Sequence, residues 1–182
     1  MKIKKCILLF CLILSVKVLT AQTYYYNYSK VFNESGYTYN ADVNDDSSVT
    51  LYDRNSQYVY AKRTFKDGTP LSDDYLLGRV ALVEKDNWTF DKAQSIINNA
   101  FTPDDKERLK DDYLQVNLII DPNTGKVLNV YFWFHRNQSF ASIPVITYRS
   151  IEMKLKNEIW FTVAEGGKKL NFIKLGWMHK VK

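Results

Sequence analysis

Past residue 22 the chain has no cysteine. Its two cysteines, Cys6 and Cys11, both lie in the first 22 residues, so a chain trimmed there can form no disulfide, offer no thiolate nucleophile and bind no metal through sulfur. Glycine and proline are scarce, at 7 and 4 of 182 residues, and they gather into no linker or low-complexity tract. Only two histidines are present, His135 and His179. Neither has further ligands nearby at metal spacing, and each reads as a partly exposed structural residue. Gly125-Lys126 lacks the upstream glycine and the Ser/Thr of a phosphate loop, and there is no Gly-x-Ser-x-Gly elbow and no His-Glu-x-x-His helix. These absences point away from an enzyme. A hydrolase would need Asp or Glu gathered around a His, which the sequence does not show.

Long apolar runs are missing too. The one apolar stretch, Cys6 to Leu14, is too short for a membrane span of about 20 residues, and Lys17 interrupts it. Lys2, Lys4 and Lys5 precede it and Ala21 follows, which is the pattern of a secretory signal peptide over 1–22. Its removal takes away four lysines and lowers the formal charge from +5 to +1. A nucleic-acid partner is therefore not indicated. The expectation is a periplasmic or secreted protein, soluble after cleavage and without a transmembrane anchor. A cysteine-free exported domain fits a Gram-negative envelope.

What is abundant is aromatic: 13 tyrosines, 10 phenylalanines and 4 tryptophans, a composition that favours sheets. Residues 23–182 are expected to form one α+β domain, with a β-rich part over 23–85 and a helix–hairpin–helix–strand part over 86–182. In the first part, Tyr37, Tyr39 and Ala41 alternate with polar residues, and within 57–65 Tyr58, Tyr60 and Lys62 are set against Val59 and Ala61; both stretches read as strands. Turns are expected at 33–36, 53–56 and 67–68. The stretch 75–83 is a strand or a short helix.

In the second part, Thr89 caps a helix with Phe90, Ala93, Ile96, Ile97, Ala100 and Phe101 on one stripe. Thr102-Pro103-Asp104-Asp105 starts another. Val116, Leu118 and Ile120 alternate, residues 121–126 turn, and 127–134 return, which is a β-hairpin. Val130, Phe132 and Phe134 take one face of the return strand, and Tyr131, Trp133 and His135 the other. Pro144 opens a helix with Val145, Tyr148, Ile151 and Leu155 inward and Arg149, Glu152, Lys154 and Lys156 outward. A short strand at 159–163, a turn at Gly166-Gly167 and a last strand over 170–181 follow. The class is α+β: an antiparallel sheet with helices packed on one face.

The hairpin 116–134 with its Asp-Pro-Asn-Thr-Gly-Lys turn, the Ile143-Pro144 helix entry and Ile159-Trp160-Phe161 resemble the C-terminal domain of TonB-like proteins over 116–181. That resemblance implies binding of extended peptides by strand addition and carries no catalytic residues. The mature chain as a whole is similar to small exported proteins of unknown function from Gram-negative gut bacteria, which implies the compartment and leaves the activity open.

Two sets of side chains remain as candidate sites. Asp42, Asn44 and Asp46 have the 1-3-5 spacing of a calcium loop, with Asp53 at position 12. However, Ser47 stands where that loop needs glycine, so a solvated acidic turn is the first reading and calcium the alternative. The aromatics Tyr37, Tyr39, Tyr58, Tyr60, Tyr131, Trp133 and Trp177 are either cross-strand packing or a binding face. The seven lysines of 154–182 face only Glu158 and Glu165, giving a basic end that also guards an edge strand. The function expected is non-enzymatic binding of an envelope protein through a sheet edge or aromatic face. The alternative is a carbohydrate-binding module using the N-terminal tyrosines.

Overall fold

The computed structural model of the protein describes residues 24–34 and 36–182. Six strands make one antiparallel sheet: β1 (Lys30–Glu34), β2 (Tyr37–Val43), β3 (Ser48–Asp53), β4 (Leu114–Ile120), β5 (Val127–His135) and β6 (Ile173–His179). Their order is β1-β2-β3-β5-β4-β6. Between them run α1 (Asp73–Leu76), α2 (Trp88–Asn98), α3 (Pro103–Leu109), α4 (Val145–Glu158) and α5 (Glu165–Lys168). This is the expected α+β class, with the main helices against one face.

Strand parity decides which side chains meet them. Val49 pairs with Phe134 and Leu51 with Phe132, while Val116 pairs with Phe132 and Leu118 with Val130. All of these are buried in one core with Ile97 of α2 and Tyr148, Ile151 and Leu155 of α4. Each such side chain contributes about 1.5–3 kcal/mol on burial. Tyr148 lies parallel to Phe134, centroids 5.5 Å apart, and its hydroxyl donates to the Phe140 carbonyl at 2.8 Å. Tyr26 enters the same core and donates to the Ile143 carbonyl at 3.0 Å.

Local chemistry sets the element ends. Thr102 and Asp105 form the reciprocal capping box of α3, with Asp105 N donating to Thr102 Oγ1 and Thr102 N donating to Asp105 Oδ2, both at 3.1 Å. The β4–β5 turn holds Gly125 at φ +71°, where an added Cβ would sit 1.8 Å from the Phe161 carbonyl oxygen. Only glycine fits, because Phe161 N donates to the Gly125 carbonyl at 2.9 Å and pins the hairpin tip to the segment behind it.

Several expectations are corrected. Residues 57–65 do not join the sheet as a strand: they cross its helix-free face, tied down where Asn171 Nδ2 donates to the Lys62 carbonyl at 3.2 Å. Thr89 is not the cap of α2 but lies inside it, its hydroxyl donating to the Trp160 carbonyl at 3.0 Å. Residues 159–163 make only isolated bridges, Lys126–Trp160 and Val83–Val163. Gly166-Gly167 belong to α5, where a Cβ on Gly167 would meet the Leu82 carbonyl oxygen at 2.1 Å. The last strand begins at Ile173, and within 75–83 the only regular structure is the end of α1.

Glu152, expected outward, is fully buried. Arg149 Nη1 donates to its Oε2 at 3.2 Å and also reaches Asp53 Oδ2 at 3.5 Å. Lys156 Nζ lies 3.5 Å from Oε1, which accepts no hydrogen bond. Burial pushes the Glu152 carboxyl up to about 7 despite Lys156.

Candidate functional site

The parity that places Val49, Leu51, Phe132 and Phe134 under the helices places Thr50, Tyr52, Tyr131 and Trp133 on the opposite face. Thr50 pairs with Trp133 and Tyr52 with Tyr131 across β3 and β5. Gln115 and Asn117 join them from β4, opposite Trp133 and Tyr131, and Lys174 comes from β6 opposite Ile119. Residues 57–60 lie over one end of this face. Tyr58 meets Phe172, centroids 5.4 Å apart, and closes a small second core with Tyr52, Ile119 and Tyr131.

Between that segment and β6 lies a groove of about 340 Å³, lined by Val59, Tyr60, Thr50, Trp133, Tyr131, Gln115, Asn117 and Lys174. Tyr60, an exposed residue, forms its wall, with its ring edge-on to Tyr52 at 5.8 Å. The ring is held by Asp42, whose Oδ2 accepts from the Tyr60 hydroxyl at 2.6 Å and the Tyr52 hydroxyl at 2.9 Å. Asn40 Nδ2 donates to the Tyr52 oxygen at 3.2 Å. Burial above all raises the Tyr52 phenol from its ordinary value, and the Asp42 carboxylate adds to the rise. The phenol therefore stays a donor at neutral pH.

The groove floor is polar. Asn117 is 2% exposed; its Oδ1 accepts from Gln115 Nε2 at 3.1 Å, but its Nδ2 is buried with no partner. An orphaned buried amide costs about 1–3 kcal/mol. Lys174 Nζ sits 5.2 Å from the centroid of the Tyr131 ring and has no acidic partner among the described residues. Trp133 is half-buried, its ring edge-on to His135 at 4.9 Å.

Among the described residues no three His, Cys, Asp or Glu side chains are grouped to hold a metal, and no helix is long and apolar enough to cross a membrane.

A family model for a domain of unknown function, DUF5043, matches residues 22–177. The chain belongs to the DUF5043 family. It is similar to a DUF5043 family protein from Bacteroides uniformis ATCC 8492, known from a crystal structure at 1.85 Å resolution. The two are 35% identical, with a TM-score of 0.81 over 88% of this chain and 89% of that one. No curated protein matches. The resemblance to uncharacterised proteins of gut bacteria thus holds. The TonB-like order of hairpin, helix and last strand is present in this DUF5043 chain as β4, β5, α4 and β6.

The seven aromatics singled out from the sequence do not form one surface. Tyr131, Trp133 and Tyr60 meet in the groove, and Tyr58 lies beside it. Tyr37, Tyr39 and Trp177 belong to the opposite, helix-covered side: Tyr39 is fully buried, Tyr37 packs edge-on to it at 5.7 Å, and Trp177 packs on Phe90 at 5.8 Å. The four calcium candidates are likewise scattered. Asp42 anchors the phenols, Asn44 Nδ2 donates to Ser48 Oγ at 2.9 Å, Asp46 Oδ1 accepts from Ser48 N at 2.9 Å, and Asp53 turns to Arg149 across the sheet. A tight β2–β3 turn, with Ser47 at φ +69°, takes the place of a calcium loop.

Sequence reasoning missed Thr50, Gln115, Asn117 and Lys174. The available signal was parity: Gln115 and Asn117 are polar at alternate positions of an otherwise apolar strand.

Proposed function

We propose that this DUF5043 chain is an exported, non-enzymatic binding protein of the cell envelope, and that it engages its partner through the groove on the helix-free face of the sheet. The observation that supports this most is the buried Asn117 amide with no partner, set at the floor of a groove walled by Tyr60 and Trp133. A buried donor left without a partner costs stability unless something pairs it. The basic signal-like start at 1–22 supports export. Residues 1–22 lie outside the described residues.

Of the two partner kinds expected from the sequence, a groove with a mixed polar and aromatic lining fits a sugar unit or a short polar segment better than a broad protein face, which would bury about 800 Å² per partner. Of the tyrosines of 24–60, Tyr60 walls the groove and Tyr58 lies beside it, whereas Tyr37 and Tyr39 sit on the other side. Retention of the purified protein on envelope fractions of the bacterium that makes it tests the reading. A Trp133→Ala, Tyr60→Ala double variant loses retention, whereas Met153→Ala on the exposed side of α4 keeps it. Equal retention by all three proteins would refute the groove as the site.

A further inference from the structure

The lining of the groove is unbalanced in a way that narrows its ligand. Its side-chain donors include Lys174 Nζ, Asn117 Nδ2, the Trp133 indole N–H and the Thr50 and Tyr131 hydroxyls, with Gln115 Nε2 already donating to Asn117, and no carboxylate lines it. Asp42, on the same face, is already committed to the Tyr52 and Tyr60 hydroxyls. Lys174 has an aromatic face beneath it at 5.2 Å and no acidic partner among the described residues. A groove with one cation, surplus N–H donors and a half-buried indole calls for a ligand with a ring to stack, hydroxyls to share and a negative charge.

From this juxtaposition of Lys174, Asn117 and Trp133 we infer that the groove takes an acidic sugar, a pyranose bearing a carboxylate. This deepens the binding reading above and rests on it. The sugar ring lies against Trp133. Its carboxylate accepts from Lys174, and a ring hydroxyl or carboxylate oxygen accepts from the Asn117 amide, which the folded chain leaves unpaired. Gln115 and Thr50 each both donate and accept, as sharing with hydroxyls requires. The charge term makes binding sensitive to salt, because the lysine is on the surface.

Calorimetric titration of the purified protein at low salt tests this, with trimers of galacturonate and of mannuronate each compared with the neutral trimer of the same linkage. The expected result is at least ten-fold tighter binding of one acidic trimer. Lys174→Gln erases that preference and leaves the neutral trimer's affinity in place, while Lys154→Gln, on the outside of α4, changes neither. Trp133→Ala abolishes binding of both trimers, with an unfolding midpoint in urea that shows the variant is folded. Equal affinity for acidic and neutral trimers, both lost in Trp133→Ala, would overturn the acidic-sugar inference and keep the groove. Binding of no trimer, with Trp133-dependent retention on envelope fractions intact, would overturn the sugar and assign the groove another partner. A preference that survives Lys174→Gln would show surface charge acting elsewhere and overturn the role given to Lys174.

Discussion

Two buried groups titrate in the same pH window with opposite sign, and each hides the other. Glu152 has a folded-state value of about 7 against an ordinary 4.5, because burial penalises its charged form. The folded protein therefore holds that proton more tightly than the unfolded chain. The stabilisation is fully present below pH 4.5 and is lost as pH rises through 7. His179 is 4% exposed, with its Nε2 3.1 Å from Asn98 Oδ1. Burial, and then the Lys182 charge, lowers it from 6.5 to about 4. Folding favours its neutral ring, so its contribution is present above 6.5 and lost as pH falls through 4. At about 1.4 kcal/mol per pH unit, each group changes stability by about 2 kcal/mol between pH 5 and 7.5. The wild type is thus nearly flat over this range. Glu152→Gln removes one slope, and its stability then falls by about 2 kcal/mol from pH 7.5 to pH 5. His179→Gln removes the other, and its stability falls by about the same amount from pH 5 to pH 7.5. Urea unfolding followed by tryptophan fluorescence at four pH values reads both. Altered packing around either substituted side chain moves the whole curve up or down without tilting it. If both variants run parallel to the wild type within about 0.5 kcal/mol, the burial argument is wrong.

Three further outcomes follow from particular contacts. Gly125→Ala should cost well over 2 kcal/mol in urea unfolding, because its Cβ meets the Phe161 carbonyl oxygen on top of left-handed strain of about 1–2 kcal/mol. Gly68→Ala, at φ +86° with nothing within 4 Å, should cost only that strain, and equal losses for the two would contradict the close approach. Thr102→Ala breaks the capping box of α3 and should lower stability by about 1 kcal/mol, read as a shift in thermal midpoint. Tyr148→Phe removes one of two donors to the Phe140 carbonyl, the hydroxyl at 2.8 Å, and leaves the Ile143 N–H at 3.1 Å; it should cost about 1 kcal/mol, and no measurable change would mean that the backbone donor alone satisfies this carbonyl.

The parts of the fold legible from sequence are those whose signal is local. The hairpin 114–135 carries its own turn chemistry, α3 its own capping box, and α4 its own stripe of Val145, Tyr148, Ile151 and Leu155. Where the deciding contact is distant, the same rules mislead. The alternation at 57–65 is that of a strand, but its neighbours are the side chains of a finished sheet and the Asn171 amide, so it lies across the sheet as a strap. Glu152 occupies an outward position on the helical wheel, and is buried because α4 presses against Asp53 and Arg149 closes over it. Gly166-Gly167 reads as a turn, yet the pair is there for the close passage of residues 80–82, with Gly166 against Val80 and Ala81 and Gly167 against Leu82.

The groove lies beyond local reading for a related reason. Tyr131 and Trp133 can be assigned to one face of β5 from their spacing alone, and Gln115 and Asn117 to one face of β4. Nothing in either strand says that β5 lies between β3 and β4, which is what sets Thr50 beside Trp133 on one flank and Gln115 on the other. Nor does it say that β6 returns beside β4 to bring Lys174 within reach of Tyr131. The aromatics can be picked out one by one, but sorting them needs the strand order: the same tyrosine-rich segment contributes Tyr39 to the core and Tyr60 to the groove wall. The residue that most marks the site is polar. Asn117 sits on a central strand where a β-branched residue would pack without loss, and leaving its amide unpaired makes sense if a ligand acceptor completes it.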